Sequence, residues 1–551
     1  MLQGCVPWPD DFARLYRERG YWSDITIGEQ LDQSIARWSE REALVYGAER
    51  VSYRELGARI DRLAIQLVES GLKPLDRVVL QLPNIPEFIY VYYALVKIGV
   101  IPVMAMRAHR HTEISHCLSS AGAVGWFIPG LFGNFDFPAM AEELQPSCPT
   151  LRQVFVAGTP RAGQHALGPM IAKPANKDVR ASLTGLRPAP SEVALMLLSG
   201  GTTALPKLIP RTHNDYVYNC TQSGRAAGFN EHTVYLAVLP LSHNYNLACP
   251  GIMAAFAHGG KVVLAESPNA ETVLPLVERE RVTVIAAAVP LVVNWLNSPV
   301  PKRHDISSLK VIQNGGARLA PELRQRVRDE LGVLPQEIYG TAEGLINIVR
   351  IGEDDEEQLL HSSGTPISPG DEIKVVDDVG NEVPDGEPGE LLTRGPYTIR
   401  GYYNAPEKNK EAFTADGFYR MGDIVRKRGR NLYTEGRRKD LINRGGEKIS
   451  CDEIENYIFA HPKVKSVTLV AMPDDVFGEK ACAFVIPKPG ENLTFDELIT
   501  FLRAQKIASF KLPERLELRT EFPLSPAGKI LKRTLREEIT AQLATEKRAR
   551  K

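Results

Sequence analysis

A chain of 551 residues suggests roughly three to four domain-sized units at about 100–200 residues each, which excludes a single small binding module. Hydrophobic residues at 43% and charged residues at 24% are those of a folded globular protein, not of a disordered, collagen-like or coiled-coil chain. With 66 basic against 67 acidic side chains, no whole-protein field draws nucleic acid or an anionic membrane, so neither is expected as a partner.

The seven cysteines are odd in number, scattered and without a CxxC pair, which fits free thiols in a reducing compartment rather than a disulfide framework or a zinc site. The N-terminus, MLQGCVPWPDDFARLYRERG, carries charges where a signal peptide needs an apolar stretch. The longest apolar run, around 282–295, contains Pro290 and falls short of the ~18 residues of a membrane span. The expectation is a soluble cytoplasmic protein.

Taken in chain order, apolar residues Leu56, Ile60, Leu63, Ala64 and Leu67 recur at helical spacing over 52–67, followed by a short strand at 77–81 and a buried helix at 88–100. Strands at 101–104 and 125–128 flank a helix at 113–121, and such alternation implies parallel βαβ units. Residues 158–191 are rich in Pro, Gly and charge without periodicity, and read as a surface connection. A second α/β unit follows. Its strands are expected at 193–198, 234–239, 261–265, 282–288 and 309–313, and its helices at 251–257, 271–280 and 321–331. After Ile351, short strands at 373–376, 390–393 and 432–435 suit a small antiparallel element. The last part is α+β, with helices at 451–460 and 495–505 and strands at 464–471 and 481–486. The expected architecture is α/β: a large N-terminal domain (1–438) of two doubly wound subdomains plus a small β element, a hinge at 439–442, and a small mobile α+β C-terminal domain (443–551).

One string stands directly after an apolar strand: Ser199-Gly200-Gly201-Thr202-Thr203-Ala204-Leu205-Pro206-Lys207. Small residues let backbone N–H groups approach phosphate oxygens, hydroxyls add donors, and a lysine supplies countercharge. It lacks the GxxxxGK[ST] spacing of an ordinary P-loop, and a flexible Gly/Thr surface turn is the plain alternative. His109, His111 and His116 suggest a metal cluster, but neither spacing nor a carboxylate companion supports one. They read as surface or core residues.

The 199–207 string resembles the phosphate loop of the adenylate-forming enzymes, the superfamily of acyl-CoA synthetases, luciferases and nonribosomal-peptide adenylation domains. Further strings resemble that family's motifs in the same order. Tyr339-Gly340-Thr341-Ala342-Glu343 is similar to the adenine and magnesium motif, 386–403 to the glycine-rich connection, and Tyr419-Arg420-Met421-Gly422-Asp423 to the ribose motif. Gly436-Arg437-Arg438-Lys439-Asp440 resembles the hinge, and Pro526-Ala527-Gly528-Lys529 the C-terminal lysine motif. A narrower likeness, over Ser242-His243-Asn244-Tyr245-Asn246-Leu247-Ala248-Cys249-Pro250-Gly251, is to the stand-alone aryl-acid adenylating enzymes of siderophore pathways.

The resemblance implies ATP and Mg²⁺ as cofactors and a role for each matching residue. Lys529 bridges the acid and ATP oxygens, Glu343 holds Mg²⁺, and His243 sits near the carboxylate and phosphate. Ser199, Gly200, Gly201, Thr202, Thr203 and Lys207 cradle phosphates. Gly315, Gly316, Ala317, Tyr339, Gly340 and Thr341 form the adenine slot, while Asp423 and Arg437 hold the ribose. The acid pocket comprises Asn244, Tyr245, Gly316, Cys249 and Ile346. Asp440 is the hinge about which the C-terminal domain turns, and Gly445, Gly446 and Lys448 line a pantetheine tunnel.

Amino-acid-activating members of the superfamily place Asp at the Asn244 position to pair with an ammonium. A neutral amide there suits a phenol ortho to a carboxylate. Members acting on 2,3-dihydroxybenzoate usually carry Ser and Val at the Cys249 and Ile346 positions, and salicylate enzymes Cys and Leu, so salicylate is favoured. The implied activity is ATP-dependent formation of an aryl-AMP and transfer of the aryl group to a phosphopantetheinylated aryl carrier protein. The alternatives are 2,3-dihydroxybenzoate or 3-hydroxypicolinate as the acid, an aromatic or fatty acid CoA ligase, and an inactive nucleotide-binding regulator. Ala204 and Met421 depart from the family's usual Gly and Thr. The tail from Leu524 carries eight basic against three acidic residues and reads as a solvated helix end, with an acidic carrier protein as the alternative partner for it.

Overall fold

The computed structural model describes the chain apart from residues 175–182, 200–204, 353–354, 445–446, 475, 506, 526–527 and 550–551. Two large, mostly parallel sheets dominate it. A seven-stranded sheet runs Leu208–Thr212, Val193–Leu198, Ile101–Met104, Arg77–Leu80, Gly125–Pro129, Gln153–Ala157 and His165–Ala166 in spatial order. The nine-stranded sheet runs Thr365–Pro366, Gly344–Ile348, Leu334–Thr341, Val311–Gly315, Val284–Ala287, Val234–Ala237, Lys261–Leu264, Glu42–Tyr46 and Glu49–Ser52.

One continuous core joins the two sheets, taking in Val78 and Leu80 of the first together with Val262 and Ile285 of the second. Helix Pro86–Lys97 lies within it and buries every residue except Glu87, the pattern of a helix with no solvent face. Even Lys97 is drawn in, its ammonium 2.7 Å from both Asp32 and Asp61. The Ser52 hydroxyl accepts the Glu55 N–H and caps helix Tyr53–Glu69, so the expected start of a helix at 52 has a local cause.

The two subdomains do not follow one another cleanly in sequence. The N-terminal hairpin Glu42–Tyr46/Glu49–Ser52 pairs with Lys261–Leu264 and so completes the second sheet. The expected surface connection at 158–191 also needs correction. It contains strand His165–Ala166 and helix Leu167–Ala172, which buries Leu167 and Ile171 against the first core. Two apolar residues four apart are too few to show as periodicity. Residues 175–182 of that stretch lie outside the described part.

A four-stranded antiparallel sheet (Glu372–Val376, Pro388–Arg394, Tyr419–Arg428, Asn431–Arg437) follows, with Asp423 opposite Arg437 in register. The last sheet starts with Ile442–Arg444 and Glu447–Ile449 and centres on the long hairpin Val464–Asp474/Gly478–Pro487. Helices Cys451–Phe459, Phe495–Ala504 and Lys532–Ala549 pack around it. The basic tail is not wholly solvated, because the Lys532 ammonium sits 2.7 Å from Glu455 and ties the final helix to Cys451–Phe459. Among the described residues no helix is long and apolar enough to cross a membrane.

Candidate functional site

Ligands of parallel sheets bind beyond the carboxyl ends of the strands. Here those ends are Gly315 and Tyr339–Thr341, and the C-terminal domain brings Lys529 to the same place. Gly316 has φ +87°, and a Cβ there would lie 3.0 Å from Lys529 Cε, so this glycine serves both the turn and the close approach of the lysine. The Ser525 hydroxyl accepts the Lys529 N–H at 3.1 Å, and the Ser525 N–H donates back to the Lys529 carbonyl at 2.7 Å. Burial and the nearby Arg437 cation push the Lys529 ammonium down to about 8, against a partial pull upward from Asp423 and Glu343. No carboxylate among the described residues approaches within ion-pair distance of it, so the site holds a cation in need of anionic company.

Glu343 is buried, with Oε1 accepting the Tyr402 hydroxyl at 2.8 Å, and Tyr402 lies 3.3 Å from the Tyr419 hydroxyl. The Lys207 ammonium sits over the Tyr402 ring at 3.8 Å, linking the end of the 199–207 string to the Glu343 cluster. Ser199 and Lys207 close the base of that loop: the Ser199 N–H donates to the Lys207 carbonyl, and the Lys207 N–H to Ser199 Oγ. Gly200, Gly201, Thr202 and Thr203 lie outside the described residues, as do Gly445 and Gly446. Lys448 stands in strand Glu447–Ile449, opposite Asn443.

Asp423 is buried, accepts the Tyr339 hydroxyl at 2.7 Å and pairs with Arg437 at 3.3 Å. Burial raises its carboxyl, and Arg437 and Tyr339 oppose that. The expected adenine-slot tyrosine is thus bonded to the expected ribose acid. Asn314 Nδ2 donates to the Ala317 carbonyl at 2.7 Å and fixes the turn at 315–317. Asp440 pairs with Arg536 at 3.4 Å, and its carbonyl accepts the Cys451 thiol.

His243 Nδ1 accepts the Tyr245 N–H and caps the short helix Asn244–Ala248. Burial and the Lys529 charge push its imidazole down to about 4, so it is neutral at physiological pH and carries its proton on Nε2. Asn244 is buried, and its Oδ1 accepts the Tyr216 hydroxyl at 2.8 Å. Cys249 is buried and accepts from Asn219 Nδ2 at 3.1 Å, and burial pushes its thiol up to about 11. Tyr245 packs its ring where a Cβ on Gly315 would come within 2.9 Å, and Ile346 lies opposite Gly340, which a Cβ would drive into Leu345 and Ile346. The bare glycines at 315 and 340 therefore let Tyr245 and Ile346 pack close to the backbone.

Three residues escape a reading of motifs, Arg211, Tyr216 and Asn219, while Tyr402 stands inside the 386–403 string without a role of its own. Arg211 is buried and paired with Asp215 at 2.8 Å, and its other nitrogens donate to the carbonyls of Ala342 and Tyr397. Thr212 and Asp215 form a capping box, a pattern visible in the sequence that would have located helix His213–Ala226. Of the three histidines set aside above, His109 accepts the Met106 N–H, His111 meets Glu143 at 2.7 Å and His116 bonds the Pro206 carbonyl.

Residues 31–403 match the AMP-binding enzyme family, and residues 453–529 match the AMP-binding enzyme C-terminal domain. The chain is 44% identical to a 2,3-dihydroxybenzoate-AMP ligase of Bacillus subtilis (strain 168) over 545 residues, covering 98% of this chain and 99% of that one. It is also 44% identical to a salicylyl-CoA synthase / salicylate adenylyltransferase of a Streptomyces species, covering 98% of each chain. An apo structure of MbtA from Mycobacterium smegmatis is similar in fold, with TM-score 0.73 and 37% identity over 97% of this chain and 99% of that one.

Proposed function

Since the chain belongs to the AMP-binding enzyme family, we propose that it joins an aryl acid, salicylate before others, to AMP, and passes the aryl group to the phosphopantetheine thiol of a carrier protein. The observation that carries this reading is the buried neutral pair Asn244 and Cys249, in the segment that follows His243, whose imidazole feels the Lys529 charge. An α-ammonium in that pocket would demand a carboxylate, and the buried carboxylate of helix His213–Ala226, Asp215, is already neutralised by Arg211. Relatives named for salicylate and for 2,3-dihydroxybenzoate support the aryl class.

In the first half-reaction the acid carboxylate attacks the α-phosphorus of ATP and expels pyrophosphate. Two anions must meet, so positioning and charge neutralisation are the catalytic problem. Lys529 supplies the cation between them, and the two anions restore to its ammonium the charge preference that burial removes. His243 offers its Nε2 proton to an acid or phosphate oxygen without adding net charge. Asp423 and Arg437 take the ribose, and Gly316 and Tyr339 the adenine. Glu343 fits Mg²⁺: its Oε1 already accepts the Tyr402 hydroxyl, its other oxygen accepts nothing among the described residues, and carboxylate oxygen is the ligand this ion prefers. When bound, the ion neutralises phosphate charge. The domain boundary at 439–442 then acts as a hinge at Asp440 that withdraws Lys529 and admits the thiol.

ATP–pyrophosphate exchange across salicylate, 2,3-dihydroxybenzoate, benzoate and 3-hydroxypicolinate tests the reading, with free CoA and a phosphopantetheinyl carrier compared as acceptors. Salicylate is expected to lead, and the carrier to outperform CoA. Exchange driven by amino acids or fatty acids and by none of these aryl acids would overturn it.

A further inference from the structure

Helix His213–Ala226 presents a polar stripe where a buried helix would ordinarily be apolar. Tyr216, Asn219 and Ser223 follow one another at three- and four-residue spacing on one face, and each reaches the segment that forms the acid pocket. The Tyr216 hydroxyl donates to Asn244 Oδ1 at 2.8 Å, Asn219 Nδ2 donates to Cys249 Sγ at 3.1 Å, and the Ser223 hydroxyl lies 3.0 Å from the Ala248 carbonyl, with the Asn219 carbonyl of its own helix nearer at 2.7 Å. Tyr216, Asn219 and Ser223 are themselves fully buried.

An amide has two ends of opposite polarity, and its orientation decides what a ligand meets. Tyr216 occupies the oxygen of Asn244. The nitrogen end faces Cys249, where it favours the thiolate, as a hydrogen-bond donor does. With its oxygen taken by Tyr216, the amide is left with its nitrogen end to meet a ligand. Turning the amide over would set its NH₂ against the Tyr216 hydroxyl and leave the phenolic proton, now given to Asn244 Oδ1, without that acceptor.

We propose that Tyr216 is a positioning residue that sets substrate selectivity: by holding the Asn244 amide with its nitrogen inward, it makes the pocket accept an acid whose ortho substituent receives a hydrogen bond. This rests on the aryl-acid reading above and sharpens it. Salicylate satisfies the requirement, because its phenolic proton is committed to its own carboxylate and its phenolic oxygen faces outward as an acceptor. Anthranilate presents an N–H donor in the same place and meets another donor. Benzoate presents nothing there.

The test is kcat/KM in ATP–pyrophosphate exchange for salicylate, anthranilate and benzoate with the wild-type enzyme, Tyr216→Phe and Asn244→Asp. Wild type is expected to prefer salicylate to anthranilate. Tyr216→Phe frees the amide to turn, and the salicylate-to-anthranilate ratio is expected to fall roughly three- to tenfold, the worth of one hydrogen bond. The benzoate value serves as the measure of general packing damage. Asn244→Asp keeps an acceptor for Tyr216 but replaces the inward donor by an acceptor, and is expected to reverse the preference; it decides the matter if Tyr216→Phe does not fold. Equal losses on all three acids in Tyr216→Phe, or an unchanged ratio in both variants, would overturn the proposal while leaving the aryl-acid reading intact. A wild-type enzyme inactive on every one of these acids would overturn that reading and this inference with it.

Discussion

Arg211 and Asp215 form a fully buried ion pair that no motif announces, and Asp215→Asn removes its negative partner with almost no change in shape. In the structure Asp215 Oδ1 accepts from Arg211 Nε at 2.8 Å, and Oδ2 accepts the Thr212 N–H at 2.6 Å and the Thr212 hydroxyl at 2.9 Å. Asparagine keeps one of these faces and turns a donor toward the other. Arg211 then remains charged and buried with only the Ala342 and Tyr397 carbonyls and the Tyr216 ring for company. Breaking a buried pair from one side costs about 3–5 kcal/mol, and the weakened cap adds about 1. We expect a loss of about 4 kcal/mol or more in the urea unfolding of the N-terminal domain, followed by tryptophan fluorescence. An exposed pair of similar geometry, Arg281–Asp305 at 2.7 Å, supplies the control, since Asp305→Asn should lose no more than about 1 kcal/mol. Because the Ala342 carbonyl adjoins Glu343, exchange activity of Asp215→Asn is also expected to fall. Equal stability losses in the two variants would refute the claim that Arg211 depends on its partner.

The pH dependence follows from Lys529. With its ammonium lowered to about 8, the free enzyme keeps the cation below that pH and loses it as pH rises through it, so kcat/KM for ATP should decline above about pH 8. Lys529→Arg, whose charge persists, should move that decline to higher pH whatever its absolute rate; an unmoved limb would assign it to another group. Cys249→Ser replaces a weak hydrogen-bonding partner by a good one and should shift the kcat/KM ratio of 2,3-dihydroxybenzoate to salicylate upward by roughly three- to tenfold. Asp423→Ala should raise KM for ATP about tenfold or more with a smaller effect on KM for the acid, since hydrogen bonds to a charged group carry about 1.5–3 kcal/mol.

The strand and helix alternation was legible because each element buries a face at its own period. Val193–Leu198, Gly251–Ala257 and Pro321–Leu331 stand where apolar spacing puts them. Partnership between distant segments was not legible: nothing in residues 42–52 says that they complete the second sheet and not the first, because pairing of Leu44 with Val262 is a tertiary choice. The motif strings marked out Glu343, Asp423 and Lys529, and both carboxylates pull the Lys529 ammonium upward in the folded chain. The residues behind them were invisible for a different reason. Tyr216 and Asn219 look like the polar side of an exposed helix and Arg211 like a charged strand end, and only folding reveals that their polarity is spent on Asn244, Cys249 and the Ala342 carbonyl.

The central claim is that Lys529, delivered by the C-terminal domain into the site at Gly316, drives formation of the aryl-adenylate. Salicylate-dependent ATP–pyrophosphate exchange by wild type and Lys529→Ala tests it directly, with transfer from supplied salicyl-AMP to the carrier measured on the same preparations. Lys529→Ala is expected to lose exchange by about 100-fold or more, the scale of one preorganised charge contact, and to retain transfer. Undiminished exchange in Lys529→Ala would contradict it.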